Sequence, residues 1–299
     1  MKKLLLTGGC GFVGRNIKPI LDQRYDVTTC GLNRDNNVVV NLVTTEPTFP
    51  EKFDIILHAC GKAHSIPKTE EDIQAFSDVN YQGTVNLCRA LEKWGLPKSF
   101  IYLSSVAVYG LDQGDHIDES HPLQGTTPYA KSKIMAEKFL SDWCYNHNVF
   151  LTILRPSLIA GPNPPGNLGA MISGIKKRKY LCVARGEARK SLLMVQDIAR
   201  LVTLAESKTG IYNVNDGLNP SFRELECIIC SQLKMGIPLS IPYWFAKVMA
   251  RLGDYFGDSF PINSARLNKM TCSLTFSCDK AQRELGWKPL SVRDYFKIL

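Results

Sequence analysis

No stretch of this 299-residue sequence approaches the roughly 18 uncharged apolar residues that a membrane-spanning helix needs, which excludes helical insertion across a bilayer. The start, "MKKLLLTGG", imitates the charged opening of a secretory signal, but its apolar run ends after three leucines. Blocks of one charge are equally scarce. The formal charge is +8, yet the basic residues are spread thinly apart from "KKRK" at Lys176–Lys179, a distribution that disfavours nucleic acid and favours a small phosphate-bearing partner. Ten cysteines are present, and what is missing is an arrangement to use them. Cys30, Cys60, Cys88 and Cys144 sit inside apolar runs, and "CIIC" at Cys227–Cys230 has no second Cys/His pair at metal-ligand spacing. No metal site is expected, and thiols of this kind point to a cytoplasmic protein. Repeats and low-complexity segments are also absent. With 44% hydrophobic and 21% charged residues, the chain can fill one large core, or a main domain with a smaller lobe.

What is there is an alternation. The strand-length apolar runs "KLLLTG", "DVTTCGL", "FDIILHAC", "SFIYLSSV" and "VFLTILRPSL" are separated by helical patterns. Continuous apolar strands divided by helices predict an α/β fold, a Rossmann-type doubly wound parallel sheet covered on both faces. Ligands of such sheets sit beyond the carboxyl ends of the strands, so "TGG", "HAC", "SSV" and "RPS" should line a site. After about Pro156 the pattern loosens into the loop "AGPNPPGNLG", short strands and more helix. Residues 1–156 are expected to form the main domain and residues 157–299 mainly a smaller α/β lobe, interleaved with the last sheet elements. "IPYWFAKVMARLGDYFG" is amphipathic and aromatic, and with two positive charges it reads as packed against the lobe rather than lying on a membrane.

The first strand runs into "TGGCGFVG", which sets Gly8, Gly11 and Gly14 between a strand and a helix. Glycines there permit a tight turn, let the backbone approach a pyrophosphate and let helix and strand pack closely, with the helix N-terminus facing the anion. Residues 1–156 are therefore expected to bind a dinucleotide, NAD or NADP. The second strand of such domains normally ends in an acidic residue that binds the adenosine ribose; here Gly31 stands there, followed by Asn33 and Arg34. Without the carboxylate a 2′-phosphate is not repelled, and Arg34 could pair with it, which favours NADP.

Tyr129 and Lys133 are spaced to share one face of a helix. A phenol is a poor base at neutral pH, but an ammonium beside it and an oxidised nicotinamide stabilise the phenolate. A serine hydroxyl can bridge the reacting oxygen and the phenol, and Ser105, with Ser104 its neighbour at the end of "FIYLSSV", is the candidate. His58 ends an apolar strand and is expected to be packed and hydrogen-bonded; His64, in the following loop, is a candidate sugar contact.

Together "TGGCGFVG", "LHACGKA", "VNYQGTVNL", "LSSVAVYG", "PYAKSKIMAE", "RPSLIAGP", "SLLMVQDIA" and "DKAQRELGWKP" resemble the extended short-chain dehydrogenase/reductase family, in its nucleotide-sugar epimerase, reductase and dehydratase branch. The resemblance implies that Gly8, Gly11, Phe12, Val13 and Gly14 hold the pyrophosphate and that Ala59, Cys60 and Gly61 lie along the nucleotide. It further implies that Asn80 braces the centre, Lys133 holds the nicotinamide ribose and Pro156 borders the nicotinamide, while Ser105 and Tyr129 touch the substrate hydroxyl or ketone. Asn167 and Leu168, Arg189 and Lys190, and more loosely Arg266, are implied contacts of a substrate diphosphate, most simply that of a UDP-sugar. The family also implies a homodimer through the helices after Ile73 and Pro128, and parts of the chain are similar to members that serve bacterial surface-polysaccharide assembly.

Dehydratases of the family carry an acidic pair directly after the serine position, where this chain has Val106 and Ala107. Epimerisation and 4-keto reduction remain. Two other classes stay open: an NADPH-dependent reductase of a non-sugar ketone, of dihydroflavonol or hydroxysteroid type, and a nicotinamide sensor without turnover.

Overall fold

Leu4, Leu5 and Leu6 are all fully buried although consecutive strand residues point to opposite faces, so their sheet must be covered on both sides. A computed structural model describes residues 1–256 and 262–298 of the chain. The strands are β1 (Lys2–Thr7), β2 (Tyr25–Gly31), β3 (Val38–Val39), β4 (Ile55–His58), β5 (Ser99–Leu103), β6 (Gly114–Ile117), β7 (Phe150–Pro156), β8 (Leu158–Ala160), β9 (Cys182–Val183), β10 (Leu192–Met194), β11 (Gly210–Val214), β12 (Ser240–Ile241) and β13 (Leu274–Phe276). The helices are α1 (Phe12–Leu21), α2 (Glu70–Ser77), α3 (Gly83–Trp94), α4 (Pro128–Asn146), α5 (Gly166–Lys176), α6 (Val195–Ala205), α7 (Phe222–Leu233), α8 (Tyr243–Phe256), α9 (Ser264–Thr271), α10 (Asp279–Leu285) and α11 (Val292–Tyr295).

Seven strands form one parallel sheet in the order β3-β2-β1-β4-β5-β7-β11. This is the expected doubly wound sheet. The winding reverses between β1 and β4, where Thr7 lies beside His58, and that reversal opens the crevice in which such sheets take ligands. Leu4 and Leu6 face a core closed by Ile17 of α1, Ile198 and Val202 of α6 and Ala281 of α10. Leu5 faces the other core, with Leu87 and Leu91 of α3 and Ala136 and Leu140 of α4. A third apolar cluster joins α5, β10, α7 and α11 into a lobe. The segment "GIYNVND" supplies β11, the strand that pairs with β7 at one edge of the main sheet.

One expectation is reversed. The apolar face of α8 does not pack inward: Ala246, Ala250 and Gly253 are buried, whereas Trp244, Phe245, Val248 and Leu252 are exposed. Small residues turn inward because α8 lies close against α9, where Leu267 fills the space that the alanines leave. Gly257, the last residue of that quoted segment, lies outside the described residues. Among the described residues no helix is long and apolar enough to cross a membrane, and no three metal-ligating side chains are grouped.

Candidate active site

The turn from β1 to α1 is tight and leads straight into a helix N-terminus. Gly8 has φ +76°, and a Cβ on it would lie 2.9 Å from the backbone of Cys60; a Cβ on Gly14 would overlap the Gly8 carbonyl oxygen. The Gly8 N–H donates to the Cys30 carbonyl at 2.9 Å and the Gly11 N–H to Gly8 at 3.0 Å, which fixes the loop. No side chain caps α1 and no acid lies in its first turn, so its leading N–H groups face open space. Phe12 and Val13 turn their side chains into the core, which leaves their backbone to meet a ligand.

At the end of β2 a second polar group stands beside Gly31. Arg34 is exposed, whereas Asn36 is buried beside Gly31, and its Oδ1 has no partner among the described residues. That oxygen also lies 3.2 Å from where a Cβ on Gly9 would be. A buried amide oxygen without a donor, at the mouth of the crevice, fits an adenosine ribose hydroxyl. The sequence reading missed Asn36 because it sits five positions past the strand end and reaches back through a turn held by its Nδ2 on the Asn33 carbonyl.

His58 is the packed residue it was expected to be. Thr84 Oγ1 spends its proton on the Asn80 carbonyl at 2.7 Å, so it accepts from His58 Nε2 at 2.8 Å; His58 Nδ1 then accepts from Thr7 Oγ1 at 2.6 Å, which in turn accepts the Cys60 N–H. The ring is held neutral. Burial, helped by the Lys133 charge, pushes its pKa down to about 3. An unfolded histidine takes up a proton near pH 6.5 that folded His58 refuses until about pH 3, so stability falls as pH drops through that window. His58→Gln should flatten the urea-measured stability profile between those limits by up to about 1.4 kcal/mol per pH unit.

The chemistry-bearing helix starts where Thr127 accepts from the Ala130 N–H and Pro128 occupies the first turn. Tyr129, Lys133 and Glu137 then follow at four-residue spacing. The Tyr129 side chain faces Ser105, and its ring meets Phe76 edge-on at 6.3 Å. Burial raises the phenol pKa, and the nearby Ser105 hydroxyl offsets part of that rise. Lys133 is buried; its Nζ donates to the Leu103 carbonyl at 2.8 Å and stands 4.6 Å from the centre of the Tyr102 ring. Burial pulls this ammonium down to about 8, against the pull of Cys60 and Glu137. The sequence expectation had the ammonium and an oxidised nicotinamide together stabilising the phenolate. Here Lys133 is engaged with the backbone of β5, and Ser105 is the group that opposes the rise at Tyr129.

Around these groups Asn80 ties the loop after β4 to α4. Its Oδ1 accepts the Lys62 N–H at 2.7 Å and its Nδ2 donates to Ser132 Oγ at 2.9 Å, while Ser132 donates to the Tyr129 carbonyl. A Cβ on Gly61 would sit 3.1 Å from Asn80 Oδ1 and 3.4 Å from Lys133 Nζ, and the backbone of Ala59 and Cys60 abuts Gly8, so this segment joins the glycine turn to the Lys133 side chain. Ser104 points the other way, donating to Glu137 at 2.5 Å in the interior. Pro156 is buried at the end of β7.

The lobe residues divide. A Cβ on Gly166 would lie 2.6 Å from His64 Nδ1, so His64 is packed on the start of α5, next to exposed Asn167; Leu168 is buried in the lobe core. Arg189 and Lys190 diverge. Arg189 donates to the Asn219 carbonyl and faces Glu224, and it lines a cavity of about 520 Å³ with Arg185 and Arg223. Lys190 is partly buried, with its charge toward Asp112, Cys272 and Lys269. Arg266 lies in the first turn of α9, its N–H on Asn263 Oδ1.

A glycine turn at a helix N-terminus, a buried lysine and a tyrosine facing a serine thus converge at one end of a doubly wound sheet, and the NAD dependent epimerase/dehydratase family model matches residues 4–214. The chain belongs to that family. A relative from Escherichia coli O157:H7, "N-acetyl-alpha-D-glucosaminyl-diphospho-ditrans,octacis-undecaprenol 4-epimerase", is 30% identical over 93% of this chain and 88% of its own length. The UDP-glucose 4-epimerase of Vibrio cholerae is 25% identical over 96% and 91%. Among solved structures, RMD from Pseudomonas aeruginosa complexed with NADPH superimposes with a TM-score of 0.73 at 22% identity, covering 98% of this chain and 96% of that one. The UDP-glucose 4-epimerase of Thermus thermophilus in complex with NAD gives 0.73 at 22% identity, covering 96% and 94%. These structures share the fold. As a member of the NAD dependent epimerase/dehydratase family, the chain is an NAD(P)-dependent enzyme of the extended short-chain dehydrogenase/reductase type.

Proposed function

We propose that this enzyme acts at a secondary alcohol or ketone of a diphosphate-linked sugar, as an epimerase or 4-ketoreductase and not as a dehydratase. The observation that carries the reading is Tyr129 facing Ser105, which is directly followed by Val106 and Ala107 rather than by acids. Bound nicotinamide supplies or takes up hydride. Tyr129 exchanges the proton on the sugar oxygen, Ser105 orients that oxygen, and Lys133 holds the ribose and returns positive charge to the phenol. Gly8, Gly11, Phe12, Val13 and Gly14 hold the pyrophosphate through backbone N–H groups. Asn36 takes the ribose hydroxyl, and because its amide is neutral it leaves room for a 2′-phosphate near Arg34, which favours NADP.

Residues 1–156 supply these groups, with His64 at the sugar, and residues 157–299 mainly hold the substrate, with Asn167 and Lys190 near the diphosphate. UDP is the carrier the family favours most simply; the Escherichia coli relative, named for a substrate carried on undecaprenol diphosphate, supports a lipid carrier as the second reading. A cytoplasmic homodimer through α2 and α4 is part of the proposal, since Ile73 and Met135 are exposed there.

The test is to identify the product and the cofactor balance when purified protein meets UDP-hexoses and their 4-keto forms. An epimer without net cofactor change, or an alcohol with one NADPH consumed, is expected. A 4-keto-6-deoxy product formed with loss of water would overturn the reading, as would tight NADH binding with NADPH excluded for its NADP part.

A further inference from the structure

We propose that the outward face of α8 docks on an anionic lipid surface, holding the substrate lobe against a membrane without entering its core. The helix is built inside out. Ala246, Ala250 and Gly253, at spacings of four and three, make the buried stripe, while Trp244, Val248 and Leu252, at spacings of four, stand on the opposite side with exposures of 68%, 52% and 50%. Phe245, at 42%, widens that apolar face. A helix that hides alanine and shows tryptophan and leucine has its large side chains placed for something other than its own core.

The charges around the face say what that is. Lys247 and Arg251 are exposed on one flank of the helix. Between residues 234 and 256 the only acid is Asp254, and it is turned aside onto the N–H and hydroxyl of Ser264. The run Lys176–Lys179 is exposed and leads directly to β9, which pairs with β12 immediately before α8. There the Cys182 N–H donates to the carbonyl of Leu239, itself 79% exposed, so the strongest cationic cluster of the sequence adjoins the entry to the apolar face.

An aromatic and aliphatic face bordered by lysine and arginine is the signature of a helix lying at a bilayer interface, with the rings at headgroup depth and cations on anionic lipid. A second copy of the chain on this face would bring cations against cations with no acid to answer them. Anionic headgroups supply the missing counter-charge. If the lipid-carrier reading above holds, the same contact brings the lobe to the surface where a polyprenyl diphosphate presents its sugar; the docking itself does not depend on that reading.

The experiment is co-sedimentation of the full chain with vesicles of phosphatidylethanolamine and phosphatidylglycerol, against vesicles of phosphatidylcholine alone. Binding to the anionic vesicles is expected, with weakening as salt rises. Trp244→Ser with Leu252→Ser should lower the partition coefficient at least about tenfold, and Lys177→Glu with Lys179→Glu at least about 25-fold, at about fivefold for each cation removed. Both variants should keep wild-type nicotinamide binding, which shows that they are folded and separates loss of docking from failure of the catalytic reading. Equal, salt-independent recovery with all vesicles, no recovery with any, or a wild-type dimer that Trp244→Ser with Leu252→Ser turns into monomers would overturn the proposal.

Discussion

Tyr129→Phe should lower turnover by about 10²–10⁴-fold while leaving nicotinamide binding within about twofold of wild type. The hydroxyl is the only atom removed, and the ring keeps its edge-on contact with Phe76. Burial raises the phenol pKa, so without ligand the group is protonated at neutral pH and poised to donate to a keto oxygen. In the oxidising direction it must first lose that proton, which the nearby Ser105 hydroxyl assists. Lys133 is the tunable part, because its ammonium has been brought to about 8 and its charge is lost as pH rises past that point. Single-turnover hydride transfer and a separate fluorescence titration of the cofactor check the two halves of this expectation. Retained turnover in the Phe variant would remove Tyr129 from the mechanism.

Glu137→Gln should cost about 3–5 kcal/mol of stability, because it strips the counter-charge from a guanidinium that cannot reach water. Arg155 Nη2 lies 2.6 Å from Glu137 and Nε 3.1 Å from it, with both side chains nearly inaccessible. Its third contact is Nη1 on the Tyr109 hydroxyl at 3.0 Å, which passes its own proton to Asn213 at 2.7 Å. Glu137 also accepts from Ser104, the neighbour of Ser105, so the chain of bonds runs from β11 to the strand end that precedes Ser105. Urea unfolding measures the loss. Adding Arg155→Met should recover part of it, since the uncompensated charge then disappears; a double variant less stable than Glu137→Gln alone would show that the pair matters for packing and not for charge.

The sheet, its winding and the glycine turn were legible because each leaves a local pattern: uninterrupted apolar runs, and glycines at positions where a Cβ has no room. The tyrosine-serine-lysine group was legible as residue types and spacing, but not as contacts. That Lys133 would spend itself on the Leu103 carbonyl, and that Ser104 and Ser105 would face opposite ways, depends on the backbone at the end of β5, which no spacing rule records. Asn36 was invisible because its position follows from a turn rather than from the strand. The adjacent Arg189 and Lys190 looked interchangeable, and extended backbone sends neighbours to opposite sides. For α8 the amphipathic pattern was read correctly and its sense wrongly, since periodicity shows that a helix has two faces and not which one the fold keeps.

β11 has a consequence for how the molecule is made. Synthesis from the amino end delivers six strands of the main sheet by residue 156, yet the outer margin of β7 waits for residues 210–214, and the layer over one side waits further for α10. During translation the nascent half carries an unpaired ribbon and an uncovered greasy flank, a state prone to sticking until nearly the whole chain has emerged.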